Sequence, residues 1–166
     1  LNLASSDKGR REHALAEATA ALQLARQLPF AVLVVHAGVP RSQATVPGEN
    51  SRDAARRSLE ALATAARPLG VRVAVEVIAN ELSSPGPLVH LVEVALEDFD
   101  VGICLDVGHA HLGGDLGEAI ETVSEHLVAV HVHDNRGRND EHLLPFEGTM
   151  DWPAALTGLQ KVGYAG

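Results

Sequence analysis

Residues 100–115 read DVGICLDVGHAHLGGD. An apolar run, Val101 to Leu105, stops at Asp106, and His109, His111 and Asp115 follow within nine residues. A short apolar run without alternation fits a strand buried on both faces, as in a parallel sheet covered by helices. In such a sheet the C-terminal ends of the strands are where chemistry is placed.

Three more stretches have this form: PFAVLVVHAG from Pro29, VRVAVEVIAN from Val71 and HLVAVHVHDN from His126. They stop at His36, at Glu76, and at His131 with His133. Helical stripes lie around them: Leu15, Ala18, Leu22 and Ala25 behind a cap at Ser6 or Asp7; Ala55, Leu59, Leu62, Ala63 and Ala66, closed by Pro68 and Gly70; and Leu88, Leu91, Val92, Ala95 and Leu96. Leu116, Ile120 and Val123 make a short fourth stripe, and a fifth helix begins near Asp151 and runs through Leu156 and Leu159 to Gly163. Asp115 with Glu118, and Asp151 with Pro153, read as helix starts, so neither aspartate is assigned to a site.

Alternating strands and helices predict βα units, a parallel sheet and right-handed crossovers. All four strand ends then meet on one side, and the acids and imidazoles converge there. An open doubly wound sheet gathers them loosely, whereas a (β/α)8 barrel gathers them round a mouth but takes about 250 residues. The chain has 166, starts at a leucine and breaks off at GYAG. The expectation is one α/β domain, residues 1–166, forming a (β/α)8 barrel segment without its first strands and its last.

Composition narrows the function classes. Apolar residues make up 46% and charged ones 21%, the balance of a globular protein. No apolar run approaches the roughly 18 residues of a membrane span, and no leader pattern opens the chain, so a cytoplasmic location is expected and no membrane partner. The formal charge of −9, without a lysine and arginine cluster, weighs against nucleic acid as a partner. Cys104 excludes an internal disulfide and reads as inert core. Oligomeric state carries no signal, and a homo-oligomer is compatible.

Carboxylates and imidazoles together suit a divalent metal such as manganese, cobalt, zinc or iron. Asp106 and His109 stand three apart on a strand-to-loop transition, and Asp140 and His142 repeat the idea as D-x-H. Period-two alternation puts His131 and His133 on one side of their strand. Glu76 within VAVEVIAN needs a cation nearby, because an unpaired buried carboxylate is costly. His36 either satisfies a loop carbonyl or joins the site, and His111 is read as support. His13, His90 and His126 are placed in helical segments, in solvent.

In order along the chain, VVHAG, VAVEVIAN, CLDVGHAHLGGD, VHVHDNRGRNDEHLLPFEGTMDW and VGYAG resemble the xylose-isomerase-like TIM-barrel superfamily, which holds sugar-phosphate isomerases and epimerases together with endonuclease IV. The resemblance implies one divalent ion (Mn, Co, Mg or Zn) at the barrel mouth. Glu76 and Asp106 match two of its ligands, and His131, by its H-x-x-D spacing to Asp134, matches a third against the competing His133. It implies catalytic roles for Glu76 and His109. His109 is also similar to a substrate-contacting residue in the epimerases and to a zinc ligand in endonuclease IV.

His36, Asp140 and His142 resemble further zinc ligands of that nuclease, so a multinuclear zinc site is the alternative. His133 and Arg136 are expected to face substrate, Arg136 through a hydroxyl or a phosphate. The matching pattern puts a final glutamate ligand past Gly166 and an early-strand site residue before Leu1. Phe146 stands in PFEG where the family often has Pro-Gly-Glu-Gly. The loop 40–53 is where sugar size would be read.

The implied function is a metal-dependent sugar or sugar-phosphate isomerase or epimerase working by proton transfer through an enediolate. The alternatives are an endonuclease IV-like zinc phosphodiesterase and a sugar-binding barrel without turnover.

Overall fold

A computed structural model describes residues 1–44 and 49–166. Part of the loop expected to read sugar size, residues 45–48, therefore lies outside the described residues. Four parallel strands, β1 (Val32–Val35), β2 (Arg72–Glu76), β3 (Val101–Asp106) and β4 (Leu127–His131), form one sheet in the order β1-β2-β3-β4. Neighbours in sequence are neighbours in space, and helices fill the crossovers. This half-barrel is the segment expected from the alternating pattern.

The helices are α1 (Lys8–Gln23), α2 (Arg52–Ala66), α3 (Pro85–His90), α4 (Val107–Gly113), α5 (Leu116–Val123) and α6 (Trp152–Lys161). Aspartate side chains cap α1, α5 and α6. Asp7, rather than Ser6, accepts the Arg10 N–H at 2.8 Å, Asp115 accepts from Glu118 N at 3.0 Å, and Asp151 accepts from Ala154 N at 3.0 Å. After α2 a short 3₁₀ turn ends at Gly70, whose φ of 67° suits glycine.

Two helices depart from expectation. The stripe from Leu88 to Leu96 widens after α3 into a π-helical segment over Leu91–Ala95, which keeps Leu88, Leu91, Val92 and Leu96 all in the core. α4 replaces the loop expected after Asp106. Its cause is local: the Asp106 carboxylate accepts the His109 N–H at 2.8 Å, so a helix starts on the last residue of the strand.

Strands β2 and β3 are almost wholly buried, while β1 and β4, at the two edges of the sheet, are half-buried. Register aligns the strand ends. Val35 pairs with Val75, Glu76 with Cys104, and Asp106 with His131. That last pairing depends on a bulge. Ile103 faces Leu127 but Cys104 faces Ala129, so Val128 is an extra residue in β4. Without it every later β4 side chain would move to the other face of the sheet.

Gly102 makes room for the bulge, because a Cβ there would lie 2.5 Å from a Val128 methyl. Gly102→Ala should therefore cost about 1–3 kcal/mol in chemical denaturation, the usual range for overpacking. Adding Val128→Ala should recover most of that loss.

Candidate active site at the strand ends

The four strand ends bring their ionisable residues into a cavity of about 630 Å³, whose wall includes His36, Glu76, Asp106, His109, His131 and His133. Asp140 and His142 reach the same cavity from the loop after β4. Glu76 and Asp106 are 5% and 2% exposed. Buried carboxylates need cationic or hydrogen-bonding partners.

Imidazoles supply them. Glu76 Oε2 is 3.3 Å from His36 Nε2 and 3.1 Å from His131 Nδ1, while Oε1 is 3.3 Å from His109 Nδ1. Burial alone would raise the Glu76 pKa. Hydrogen bonds from His109 and His36, with the charges of His36 and His131, outweigh it and hold the carboxyl well below its ordinary range. Glu76 is thus kept ionised.

The donors separate into two groups. Glu76, Asp106 and His131 bring one ligand atom each within 4.8 Å of one another, and His109, His133, Asp140 and His142 do so separately. His131 and His133, competing candidates in the sequence, fall in different groups. His131 sits over both carboxylates, whereas His133 is buried against Asp106, with Nε2 2.8 Å from Oδ1 but outside hydrogen-bond geometry. The backbone allows this at one point, Gly108, where a Cβ would overlap the His133 ring.

His109 links the groups. Its Nδ1 faces Glu76 and the Val77 carbonyl, at 3.3 and 3.2 Å, and its Nε2 faces Asp140 at 3.3 Å. Arg136 does not line the cavity. Its guanidinium lies 2.6 Å from Glu141 and its N–H also bonds that carboxylate, which braces the loop. His111, read as support, lies with Nε2 3.2 Å from Thr149 Oγ1. His126, expected in solvent, contacts Glu93 at 3.0 Å, because the turn before β4 lies against the segment after α3.

Asp134 is a residue that spacing alone did not reveal as an organiser. It is fully buried and accepts five hydrogen bonds: Asn135 N and Met150 N on Oδ1, and Phe146 N, Gly148 N and Trp152 Nε1 on Oδ2. Burial pushes its pKa up, but the Trp152 and backbone donors win and lower it. Its main chain pairs with Leu143 in both directions. One side chain thus folds the loop that carries Asp140 and His142. Only the HDN…EG…DW pattern hinted at it.

Two expectations follow. Asp134→Asn turns an amide NH₂ toward main-chain donors and should destabilise the protein by about 3 kcal/mol, with faster proteolysis within 136–148. The second concerns pH. Burial lowers the His109 pKa, but the Glu76 bond and the charges of Asp106 and Asp140 raise it to about 9 from 6.5. A raised folded-state value gives stability that is complete below about pH 6.5 and lost as pH climbs through about 9. Metal-free protein should lose stability over that window in urea titrations, and His109→Gln should flatten the slope.

Comparisons with known proteins agree with this architecture. A family described as xylose isomerase-like TIM barrel matches residues 1–166. An uncharacterized protein of Methanocaldococcus jannaschii is 29% identical over 174 residues, taking in 100% of this chain and 59% of that protein. The crystal structure of a D-tagatose 3-epimerase-like protein superposes with a TM-score of 0.83 at 29% identity, over 100% of this chain and 64% of the other. An IolI protein with a bound zinc atom reaches 0.79 at 22% identity, over 99% of this chain and 62% of the other, which is a likeness of fold. The chain spans about three fifths of the length of these relatives. With a match over all its residues and a parallel half-barrel to carry it, the chain belongs to the xylose isomerase-like TIM-barrel family.

Proposed function

We propose that the chain carries the core of a metal-dependent sugar isomerase or epimerase, with one divalent ion held by Glu76, Asp106 and His131. The observation that carries this reading is the pair of buried carboxylates under one imidazole at the cavity floor. Two anions and a nitrogen donor within 4.8 Å of one another fit a cation of intermediate hardness, such as Mn, Co or Zn. The resemblance to an epimerase-like protein and the zinc of the IolI protein support the same choice.

Bound there, such an ion supplies Lewis-acid stabilisation of the negative charge that develops on a sugar carbonyl oxygen. The proton moves through Glu76. Its carboxylate is ionised, faces the cavity and is held by His36, His109 and His131, so it can take a proton from the carbon beside the carbonyl and return it. His36, nearly half exposed, faces the cavity where substrate oxygens would lie, while His131 serves the ion.

His109 has both ring nitrogens engaged within the chain, so its work here is to orient Glu76 rather than to reach a sugar hydroxyl. Burial of the carboxylates favours a reaction shielded from bulk water.

The second donor group is the one observation that favours a zinc phosphodiesterase of the endonuclease IV kind. The charge of −9, without a lysine and arginine cluster, opposes a polyanionic substrate. A sugar-binding barrel without turnover is the remaining reading.

The experiment is exchange of the substrate C–H proton with deuterated water, with candidate ketoses, in the metal-loaded protein. Glu76→Gln should slow exchange by 100-fold or more, roughly the contribution of a general base. Undiminished exchange would remove Glu76 from the mechanism. Cleavage of abasic DNA with several zinc ions per chain would favour the phosphodiesterase, and sugar binding indifferent to chelator would favour the barrel without turnover.

A further inference from the structure

We infer that Asn135 is a positioning residue for the site: its carboxamide fastens α4 to the loop after β4 and thereby holds His109 against Glu76. What that does for proton transfer rests on the role proposed above for Glu76, whereas the fastening stands on hydrogen bonds alone.

α4 needs to be held. It has seven residues, VGHAHLG, two of them glycines, each of which costs a helix interior roughly 1 kcal/mol against alanine. A helix this short keeps its shape through its surroundings, and the apolar side chains that α4 buries are those of Val107 and Ala110, both small. The Asp106 cap shapes the first turn by accepting the His109 N–H, but it belongs to the adjoining residue of β3. Apolar packing and the cap give α4 a weak grip on the rest of the fold.

Asn135 supplies a grip from another element. It is fully buried, its Nδ2 donates to the Gly108 carbonyl at 2.9 Å across 27 residues of chain, and its Oδ1 accepts the Gly137 N–H at 2.9 Å. Its main chain is equally fixed: the N–H donates to Asp134 Oδ1 at 2.8 Å, and the carbonyl accepts from Thr149 N at 2.9 Å and from Thr149 Oγ1 at 3.3 Å. A residue bound at all four polar groups anchors the helix instead of following it. Thr149 extends the hold, because its hydroxyl also lies 3.2 Å from His111 Nε2, about one turn further along α4.

The carbonyl that is held adjoins the residue that matters. Gly108 precedes His109, whose Nδ1 is 3.3 Å from Glu76 Oε1. That separation is near the outer limit of a hydrogen bond, so a displacement of α4 by about 1 Å breaks it. Gly108 also meets the His133 ring with no space for a Cβ, so the helix is located here by contact as well as by the bond. A carboxamide suits the position because it both donates and accepts. A carboxylate would keep the acceptor for Gly137 and set an oxygen against the Gly108 carbonyl.

The test compares Asn135→Asp and Asn135→Ala with the unsubstituted full chain, metal-free, by amide hydrogen exchange and by the ring resonances of His109 in NMR. Asn135→Asp should speed exchange at the His111, Leu112 and Gly113 amides by about 10-fold or more, the effect of replacing one buried hydrogen bond by a repulsion, while β3 amides stay protected. The His109 ring resonances should shift, and those of His126, at the opposite end of β4 beside Glu93, should not.

Unchanged exchange in α4, or protection lost equally in α4 and β3, would overturn the proposal. If neither variant folds, the unsubstituted protein decides: the Asn135 carboxamide protons should exchange at least about 10-fold more slowly than those of exposed Asn139, and equal rates would overturn it. In metal-loaded protein turning over a ketose, Asn135→Asp should lower kcat about 10-fold with KM nearly unchanged, because the geometry of proton transfer is disturbed and not the binding of substrate; an unchanged kcat would also overturn the positioning role. A chain that exchanges no substrate proton refutes the isomerase reading, and the α4 and His109 measurements still decide this one.

Discussion

Two carboxylates buried side by side at the ends of adjacent strands constrain everything around them. Glu76 and Asp106 stand on the two central strands, nearly without solvent, and an uncompensated pair would be too costly to keep ionised. The surrounding imidazoles supply the compensation, and the fold is bent to deliver them. The Val128 bulge turns His131 inward, Gly108 admits His133, and α4 starts on Asp106 so that His109 turns back over it. Cys104 faces the same anions. Burial first, then the charges of Glu76 and Asp106, push its thiol up to about 12, so it stays protonated and inert.

The loop after β4 is built on a second buried carboxylate with the opposite logic. Among the described residues, Asp134 meets no cation. It is satisfied by backbone and indole donors, in the manner of an anion held by oriented N–H dipoles. Those bonds hold Phe146 at a φ of 73°, a conformation that costs a non-glycine residue about 1–2 kcal/mol. A phenylalanine can stand there because its N–H is one of the five donors, and because its ring lies 5.5 Å from Trp152. Glycine remains necessary two residues on, where a Cβ at Gly148 would overlap the Asp134 carboxylate.

Much of this was legible in the sequence, for a physical reason. Apolar runs interrupted by single acids and imidazoles mark strand ends whatever the details of packing, so the half-barrel and the converging residues could be read in advance. What could not be read depends on departures from ideal periodicity. Period-two alternation puts His131 and His133 on the same face as equivalent candidates, and only the end of the strand at His131 assigns them to different donor groups. α4 was hidden because VGHAHLGG has three glycines and two histidines, poor helix formers whose helix depends on the Asp106 cap. Asp134 was hidden because most of its partners are backbone N–H groups 12 to 16 residues downstream. Arg136 looked available for substrate because its partner, Glu141, is reached only once the loop has folded.

The burial gradient across the sheet assigns the chemistry its order. The acids arise from the central strands, where water is excluded, while the His36 and His131 side chains arise from the edge strands and are 44% and 45% exposed. A carboxylate placed deep feels its neighbours through a low dielectric, so small changes in the histidines above it move its proton affinity strongly. An imidazole at the rim exchanges partners readily with solvent or ligand. Glu76 is therefore the group whose charge state the surrounding imidazoles set, and His36 and His131 are the two of them most open to solvent. A carboxylate at the rim, such as Asp140 at 45% exposure, sits in higher dielectric and feels its neighbours less. The strand order, acids on the central strands and the exposed imidazoles of His36 and His131 at the edges, is what lets those imidazoles set the charge of Glu76.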